Sequence, residues 1–132
     1  MSEQANLLVA LISIVDDDES VREATTSLLK SNGFRAEVFS SAEDFLASRY
    51  LDETKCLILD VQMPGMNGLE LQRRLASENR SIPIIFISAH YNQEVRKQAT
   101  RSGAIDFLPK PFSEEALLRA IRDALGMAKE NL

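Results

Sequence analysis

Polar side chains that could handle a phosphoryl group each follow an apolar segment of this sequence. The apolar run 57–59 leads directly into Asp60, and the turn-forming segment 64–68 comes soon after. A short apolar run bounded by turn residues is typical of a buried strand, which would place Asp60 at its carboxyl end. An Asp that only begins a turn explains this one stretch equally well, so the remaining polar residues must decide.

Similar apolar segments precede Asp16 and Asp17, Ser88, and Lys110. Three carboxylates at one place repel each other and stay ionised only beside cations. An all-oxygen set without His or Cys favours a hard ion, and Mg²⁺ fits because it binds one or two carboxylates together with water and phosphate. Lys110 and Ser88 could bind phosphate oxygens, while a carboxylate can form an aspartyl phosphate. The set predicts Mg²⁺-assisted phosphoryl transfer to Asp60.

Five strand-like segments alternate with five helical patterns. Strands are predicted at 7–15, 35–39, 56–60, 82–87 and 104–108, with a polar connection at 50–55. Strict alternation predicts an α/β fold, a doubly wound parallel sheet with helices on both faces and right-handed crossovers. The carboxyl ends of parallel strands share one edge of such a sheet. We therefore expect the acids, Ser88 and Lys110 to meet there.

Capping residues mark the helices. Asp18 is expected to cap the first helix and Ser113 the last, and Ser40 with Glu43 has the spacing of a capping box. The helix at 92–101 carries few apolar side chains. The buried stripes are predicted to be Val21, Ala24, Leu28 and Leu29 in the first helix, and Leu71, Leu75 and Ala76 in the third.

Length and charge limit the class of protein. The 132 residues suit a single domain, and the net charge of -5 argues against a nucleic-acid surface on this segment. The one cysteine, Cys56, is predicted to be buried and inert. No segment is long and apolar enough to span a membrane, and 1–6 reads as a flexible arm rather than a signal peptide. A cytoplasmic location is expected, with 127–132 a tail or the start of a linker.

Four motifs, at 14–18, 59–68, 86–89 and 107–112, together resemble the CheY-like receiver domain of two-component response regulators. The resemblance covers 8–126 and implies the flavodoxin-like (βα)5 fold with strand order 2-1-3-4-5. It implies a signalling switch that accepts a phosphoryl group from a sensor histidine kinase, with at most slow loss of its own phosphate. Segment 104–112 looks most like the subgroup whose receivers precede a LuxR-type helix-turn-helix domain, which implies a role in transcription regulation.

The resemblance also implies residue roles. Asp60 corresponds to the phosphoacceptor and Lys110 to the phosphate-binding lysine, and the Lys110-Pro111 bond is expected to be cis. The implied Mg²⁺ ligands are Asp17, Asp60 and the Gln62 backbone carbonyl, with Asp16 acting through water. Ser88 corresponds to the switch hydroxyl and Phe107 to the switch aromatic, where Tyr is frequent. Gln62 and His90 are expected to tune the phosphate lifetime, although His90 could be an ordinary loop residue.

The face formed by the fourth helix and fifth strand is the expected output surface and homodimer interface. Two other classes compete with this interpretation. A Mg²⁺-dependent phosphatase of the haloacid dehalogenase kind also uses an Asp nucleophile and a Lys, but its general acid lies two residues after the nucleophile, where this chain has Gln62. A degenerate receiver that serves only for docking is disfavoured because the acids, Ser88 and Lys110 are all present.

Overall fold

Five strands and five helices alternate across residues 9–126, the part of the chain that this computed structural model describes. The strands are β1 (Leu11–Val15), β2 (Arg35–Phe39), β3 (Thr54–Asp60), β4 (Ile84–Ser88) and β5 (Asp106–Pro109). The helices are α1 (Glu19–Ser31), α2 (Ala42–Leu46), α3 (Gly68–Ser77), α4 (Gln93–Arg101) and α5 (Glu114–Ala124). No helix among the described residues has the length and apolar character needed to cross a membrane. The predicted arm at 1–6, the start of the predicted first strand and the tail at 127–132 lie outside the described residues.

The strands form one parallel sheet in the order β2-β1-β3-β4-β5. This confirms the predicted flavodoxin-like fold. Side chains of β1, β3 and β4 are buried on both faces of the sheet. Ile12 and Ile14 pack in the layer that contains α1 and α5, whereas Val15 packs in the opposite layer with Leu71 of α3. Burying one such side chain contributes about 2 kcal/mol, so the sheet is a firm platform for whatever lies at its edge.

The strand bounds differ from the predicted ones where polar residues take part in the sheet. β3 begins at Thr54, inside the segment that was predicted to be a connection. The Thr54 hydroxyl lies 2.7 Å from that of Ser13 on β1 and donates to the carbonyl of Tyr50 at 2.8 Å. These buried hydroxyls satisfy each other, so a polar strand end costs little. β5 is shorter than predicted and begins at Asp106.

The predicted stripes of two helices face the core except at one alanine in each, because Val21, Leu28 and Leu29 of α1 and Leu71 and Leu75 of α3 pack against it. In α1, Thr25 and Leu29 are buried while Ala24 is exposed. In α3, Gln72 is buried and Ala76 is exposed. Apolarity alone predicted the large aliphatic members of each stripe but not that a neighbouring polar residue, Thr25 or Gln72, is buried in place of the alanine. The prediction for α4 is confirmed, because only Ala99 is buried there.

The N-cap of helix α2 lies one residue later in the chain than predicted. Ser41 is the N-cap, and its side chain accepts a hydrogen bond from the amide of Asp44 at 3.1 Å. The proposed capping box of Ser40 and Glu43 is therefore wrong. The Glu43 carboxylate is not turned back to its own helix but accepts from the amide of Met66 at 3.0 Å. The predicted caps Asp18 and Ser113 are confirmed.

The two adjacent serines allow a matched test of this cap. Ser41→Ala should lower the free energy of unfolding by about 1 kcal/mol, because one amide of the first turn loses its acceptor. Ser40→Ala should change it by no more than a few tenths, since the Ser40 hydroxyl lies 3.5 Å from Asp44 on the surface. Urea denaturation of both variants measures the difference. A larger loss for Ser40→Ala would contradict this placement of the cap.

Candidate functional site

The sheet register brings the polar strand ends to one edge. Asp60 is the last residue of β3 and Ser88 the last of β4, while Asp16 directly follows β1 and Lys110 directly follows β5. The backbone ladder continues past the strands, because the amide of Lys110 donates to the carbonyl of Ser88 at 2.7 Å. The predicted meeting of the acids, Ser88 and Lys110 at one edge is what the structure contains. Its cause is the buried apolar run before each of them, which fixes where each strand stops.

Three carboxylates form an acidic cluster in this edge. Oxygens of Asp16, Asp17 and Asp60 all lie within 4.8 Å of one another. Asp16 is fully buried, Asp60 is 4% exposed and Asp17 is exposed. The backbone carbonyl of Asp16 also accepts a hydrogen bond of 2.8 Å from the guanidinium of Arg22, a contact that sequence reasoning missed. The cluster is therefore held rigidly on the protein side and opens to solvent at Asp17.

One buried oxygen of this cluster has room for a further electrostatic partner. Asp16 Oδ1 accepts from the amide of Asp18 at 2.8 Å. Asp16 Oδ2 lies 2.7 Å from Lys110 Nζ, but no hydrogen bond among the described residues is aligned with it. A buried carboxylate oxygen with a free lone pair, beside two other carboxylates, suits a hard cation. The donor set thus fits Mg²⁺ on its own chemistry.

Lys110 is the one cation that the described residues place within salt-bridge distance of these acids. Its ammonium lies 2.7 Å from Asp16 Oδ2 and 3.4 Å from Asp60 Oδ2. Burial opposes the charged form, but the contacts with Asp16 and Asp60 outweigh it and raise the pKa of Lys110 above its ordinary value. The Lys110-Pro111 bond is cis, as expected. A permanently charged lysine at this point can pair with an incoming anion as well as with the acids.

A single ammonium does not fully compensate three carboxylates. Burial and the nearby charge of Asp16 raise the pKa of Asp60 from 3.8 to about 6, although Lys110 and the amide of Gln62 act in the opposite direction. That amide donates to Asp60 Oδ1 at 3.2 Å. The Gln62 side chain itself is exposed beside the site. Asp60 is thus a carboxylate that gains from additional positive charge.

The start of α3 lies directly against the backbone of Asp60. A Cβ atom on Gly68 would come 2.4 Å from the carbonyl oxygen of Asp60. The Gly68 amide donates to the carbonyl of Val61 at 2.9 Å, which closes the loop between β3 and α3. Only glycine permits this approach. Sequence reasoning took Gly68 for a turn residue and missed this packing, because the contact exists only once α3 lies on the sheet.

Ser88 and Phe107 are buried on the neighbouring strands β4 and β5. Ser88 is 1% exposed, and its hydroxyl accepts a hydrogen bond from the amide of His90 at 2.9 Å. Phe107 is 3% exposed, and its ring lies 6.3 Å from that of Phe86 and 5.5 Å from that of Tyr91. The imidazole of His90 belongs to an exposed residue. Tyr91, 41% exposed, was missed as a member of this group because it is separated from Phe107 in sequence.

The comparisons with known proteins agree with this arrangement. The family model of the response regulator receiver domain matches residues 12–122. The chain belongs to the response regulator receiver domain family. It is 52% identical over 125 residues to the response regulator protein TmoT of Ectopseudomonas mendocina, covering 92% of this chain and 57% of TmoT. It is 48% identical over 130 residues to TodT of Pseudomonas putida, covering 98% of this chain and 56% of TodT.

Solved receiver structures have the same fold. The response regulator StyR superposes with a TM-score of 0.83 at 47% identity, covering 89% of this chain and 60% of that one. FixJ-N superposes with a TM-score of 0.80 at 36% identity, covering 90% of this chain and 95% of that one. The receiver domain spans little more than half the length of the curated relatives it matches.

Family membership establishes the function at the level of the domain. A receiver domain is a signalling switch that accepts a phosphoryl group in a two-component system and is phosphorylated by sensor histidine kinases. Receiver domains generally bind Mg²⁺ at their acidic pocket, and this chain has a cluster of three Asp residues at the carboxyl edge of its sheet. The match decides against the phosphatase class considered above. The similarity to the LuxR-type subgroup stays a prediction.

The raised pKa of Asp60 has a consequence for the metal-free receiver. A carboxyl group whose folded pKa exceeds its unfolded one stabilises the fold below about pH 4, and that stability is lost as the pH rises through about 6. Asp60→Asn should therefore stabilise the domain by about 1–2 kcal/mol at pH 8 in EDTA. The gain should shrink towards zero as the pH falls from about 6 to 4. Denaturation at several pH values measures it.

Asp17→Asn provides the control for this measurement. It removes the same charge from an exposed member of the cluster, so its gain at pH 8 should be clearly smaller. Equal gains for both variants would show that burial of Asp60 is not the cause of its raised pKa.

Proposed function

We propose that Asp60 is the phosphoacceptor of this receiver domain and takes its phosphoryl group from a histidine of a sensor kinase in a Mg²⁺-dependent reaction. The observation that carries the proposal is the position of Asp60 at the carboxyl edge of the sheet. It lies there with Asp16 and Asp17 on one side and the Lys110 ammonium 3.4 Å away. Nucleophile, metal-binding acids and phosphate-binding cation therefore converge on one point.

Asp17, Asp60 and the backbone carbonyl of Gln62 are the proposed Mg²⁺ ligands, with Asp16 acting through water. The exposure of Asp17 supports this, since an ion that keeps several waters needs an open side. The convergence of oxygens from Asp16, Asp17 and Asp60 supports it as well. When bound, Mg²⁺ would supply positive charge to the phosphoryl oxygens.

Phosphoryl transfer then needs little covalent chemistry from the protein. An Asp60 carboxylate oxygen attacks phosphorus, the bond between phosphorus and the kinase imidazole nitrogen breaks, and that nitrogen keeps the electron pair and takes up a proton. Lys110 can bind a phosphoryl oxygen because its ammonium already lies between two acids of the site. The Ser88 hydroxyl, on the neighbouring strand, is the proposed donor to a second oxygen. Positioning and charge thus supply most of the rate.

The switch is proposed to begin at Ser88. When its hydroxyl turns to the phosphoryl group it stops accepting from the amide of His90, which releases the loop that leads to α4. Phe107 then moves into the space that Ser88 leaves, and Tyr91 must follow because its ring packs on Phe107. Phosphorylation can shift this balance only by what it binds better in one arrangement. Helix α4, with only Ala99 buried, costs the least to move.

The exposed face of α4 and β5 is the proposed output surface. Gln93, Arg96 and Lys97 are exposed there, and we propose a symmetric homodimer through this face because isologous dimers are the commonest assembly. We also propose that the protein regulates transcription through a LuxR-type domain, that it is cytoplasmic, and that this segment does not itself bind nucleic acid. These proposals rest on the sequence and on the regulators this chain resembles.

A groove beside the site offers a place for the kinase. It runs between α1 and α5 and reaches Lys110, and its apolar lining consists of Val21, Ala24, Leu28, Pro111 and Phe112. A helix of the kinase lying in this groove would bring a side chain to the carboxyl edge of the sheet, where Asp60 lies. The kinase helix would then cover Ala24 of α1, which the core leaves exposed.

The phosphoacceptor assignment predicts one labelled residue. With acetyl phosphate and Mg²⁺ the domain should gain one phosphoryl group, and Asp60→Asn should gain none. Asp44→Asn, an exposed acid on α2, should be labelled like the parent. Intact-mass measurement separates the three proteins. Labelling of Asp60→Asn at the parent's rate would refute the assignment.

The lifetime of the phosphate is predicted to depend on the two exposed residues that flank the site. Gln62→Ala and His90→Ala should each change the rate of spontaneous dephosphorylation, because both side chains border the path of the attacking water. Neither should prevent phosphorylation, and neither should unfold the domain since both residues are exposed. Decay of the phosphorylated species followed by mass spectrometry measures the rate. If both variants lost the phosphate at the parent's rate, Gln62 and His90 would have no part in dephosphorylation.

A further inference from the structure

The loop between β3 and α3 is tied to α2 by a single side chain. The carboxylate of Glu43, in the first turn of α2, accepts a hydrogen bond of 3.0 Å from the amide of Met66. This bond lowers the pKa of Glu43 below its ordinary value. No other hydrogen bond among the described residues joins the loop segment 62–66 to a helix other than α3.

The fit around this carboxylate is close. A Cβ atom on Gly65 would lie 2.9 Å from Glu43 Oε2, and Gly65 has a φ of +75°. The residue of the loop that faces the Glu43 carboxylate is therefore a glycine. The carboxylate thus lies against the backbone of Gly65 while it accepts from the amide of Met66.

The loop also has anchors at its two ends. At the start, Gln62 donates to Asp60 and Met63 packs in the core at 8% exposure. At the end, Gly68 donates to Val61. Between these anchors the Met66 side chain packs against the core, while Glu43 is the hydrogen-bond acceptor for the Met66 amide.

We infer that Glu43 is a positioning residue, which fixes the loop that follows Asp60 and thereby the Gln62 carbonyl. The inference rests on the proposed role of that carbonyl as a Mg²⁺ ligand. Glu43 itself touches neither the acids nor Lys110 in the described contacts. Glu43 would act on the site through the loop backbone that leads from Met66 back to Gln62. A ligand held by a supporting hydrogen bond binds its metal more tightly than one left to move.

Helix α2 is thereby coupled to the phosphorylation site. It packs on the core through Ala42 and Phe45 and is capped by Ser41, so its first turn is a fixed point. Glu43 is exposed, and its loss leaves no cavity. The expected effect is therefore a change in loop order and metal affinity with little change in the stability of the domain.

The test compares variants of two neighbouring acids. Glu43→Ala removes the acceptor, Glu43→Gln keeps an acceptor oxygen without the charge, and Asp44→Ala removes an equal charge from the same turn. Mg²⁺ affinity is measured by calorimetry, and exchange of the Met66 amide by NMR in metal-free protein. Glu43→Ala should weaken Mg²⁺ binding about two- to tenfold, the range of one hydrogen bond, and should speed Met66 exchange. Glu43→Gln should restore most of both, and Asp44→Ala should match the parent.

Several outcomes would overturn the inference. Equal loss of Mg²⁺ affinity in Glu43→Ala and Asp44→Ala would mean that only overall charge matters. Failure of Glu43→Gln to restore affinity would rule out the hydrogen bond, and unchanged Met66 exchange would show that the loop is held without Glu43. A parent domain that does not bind Mg²⁺ would refute the proposed function instead. In that case Met66 exchange would still decide whether Glu43 holds the loop.

Discussion

Mutual repulsion among three carboxylates at one sheet edge is the constraint on which this domain depends. Asp16 and Asp60 are buried side by side and share the single ammonium of Lys110. Burial and the charge of Asp16 raise the pKa of Asp60 even though that ammonium lies nearby. Further positive charge at this edge would offset the same repulsion.

Such a site requires a rigid platform with adjustable loops. The apolar runs of β1, β3 and β4 are buried on both faces and fix the edge. The loops are then held by specific contacts: Arg22 on the backbone of Asp16, Gly68 against the backbone of Asp60, and Glu43 on the amide of Met66. Each contact involves a backbone group, so the chain that carries the ligands is positioned rather than the ligand side chains alone.

The other side of the site connects buried residues to the surface. Ser88 and Phe107 are both buried, yet each is joined to an exposed neighbour, His90 through a backbone hydrogen bond and Tyr91 through ring packing. Helix α4 follows directly and buries a single alanine. The acidic cluster and this hydroxyl-and-aromatic pair thus lie at the same edge of the sheet. Under the proposed function, a change of charge at the acids would reach the surface through these two neighbours.

The sequence by itself determined the alternation of strands and helices, the parallel sheet, and the meeting of Asp16, Asp17, Asp60, Ser88 and Lys110. These follow from where apolar runs end, which is local information, and the motifs added the strand order. Tertiary structure alone decided which serine caps α2, that Thr54 joins β3 through Ser13, and that Thr25 and Gln72 take the buried places. It also decided the contacts of Arg22, Glu43, Gly68 and Tyr91. These contacts join different elements and loops, and their energies depend on distances that no local pattern records.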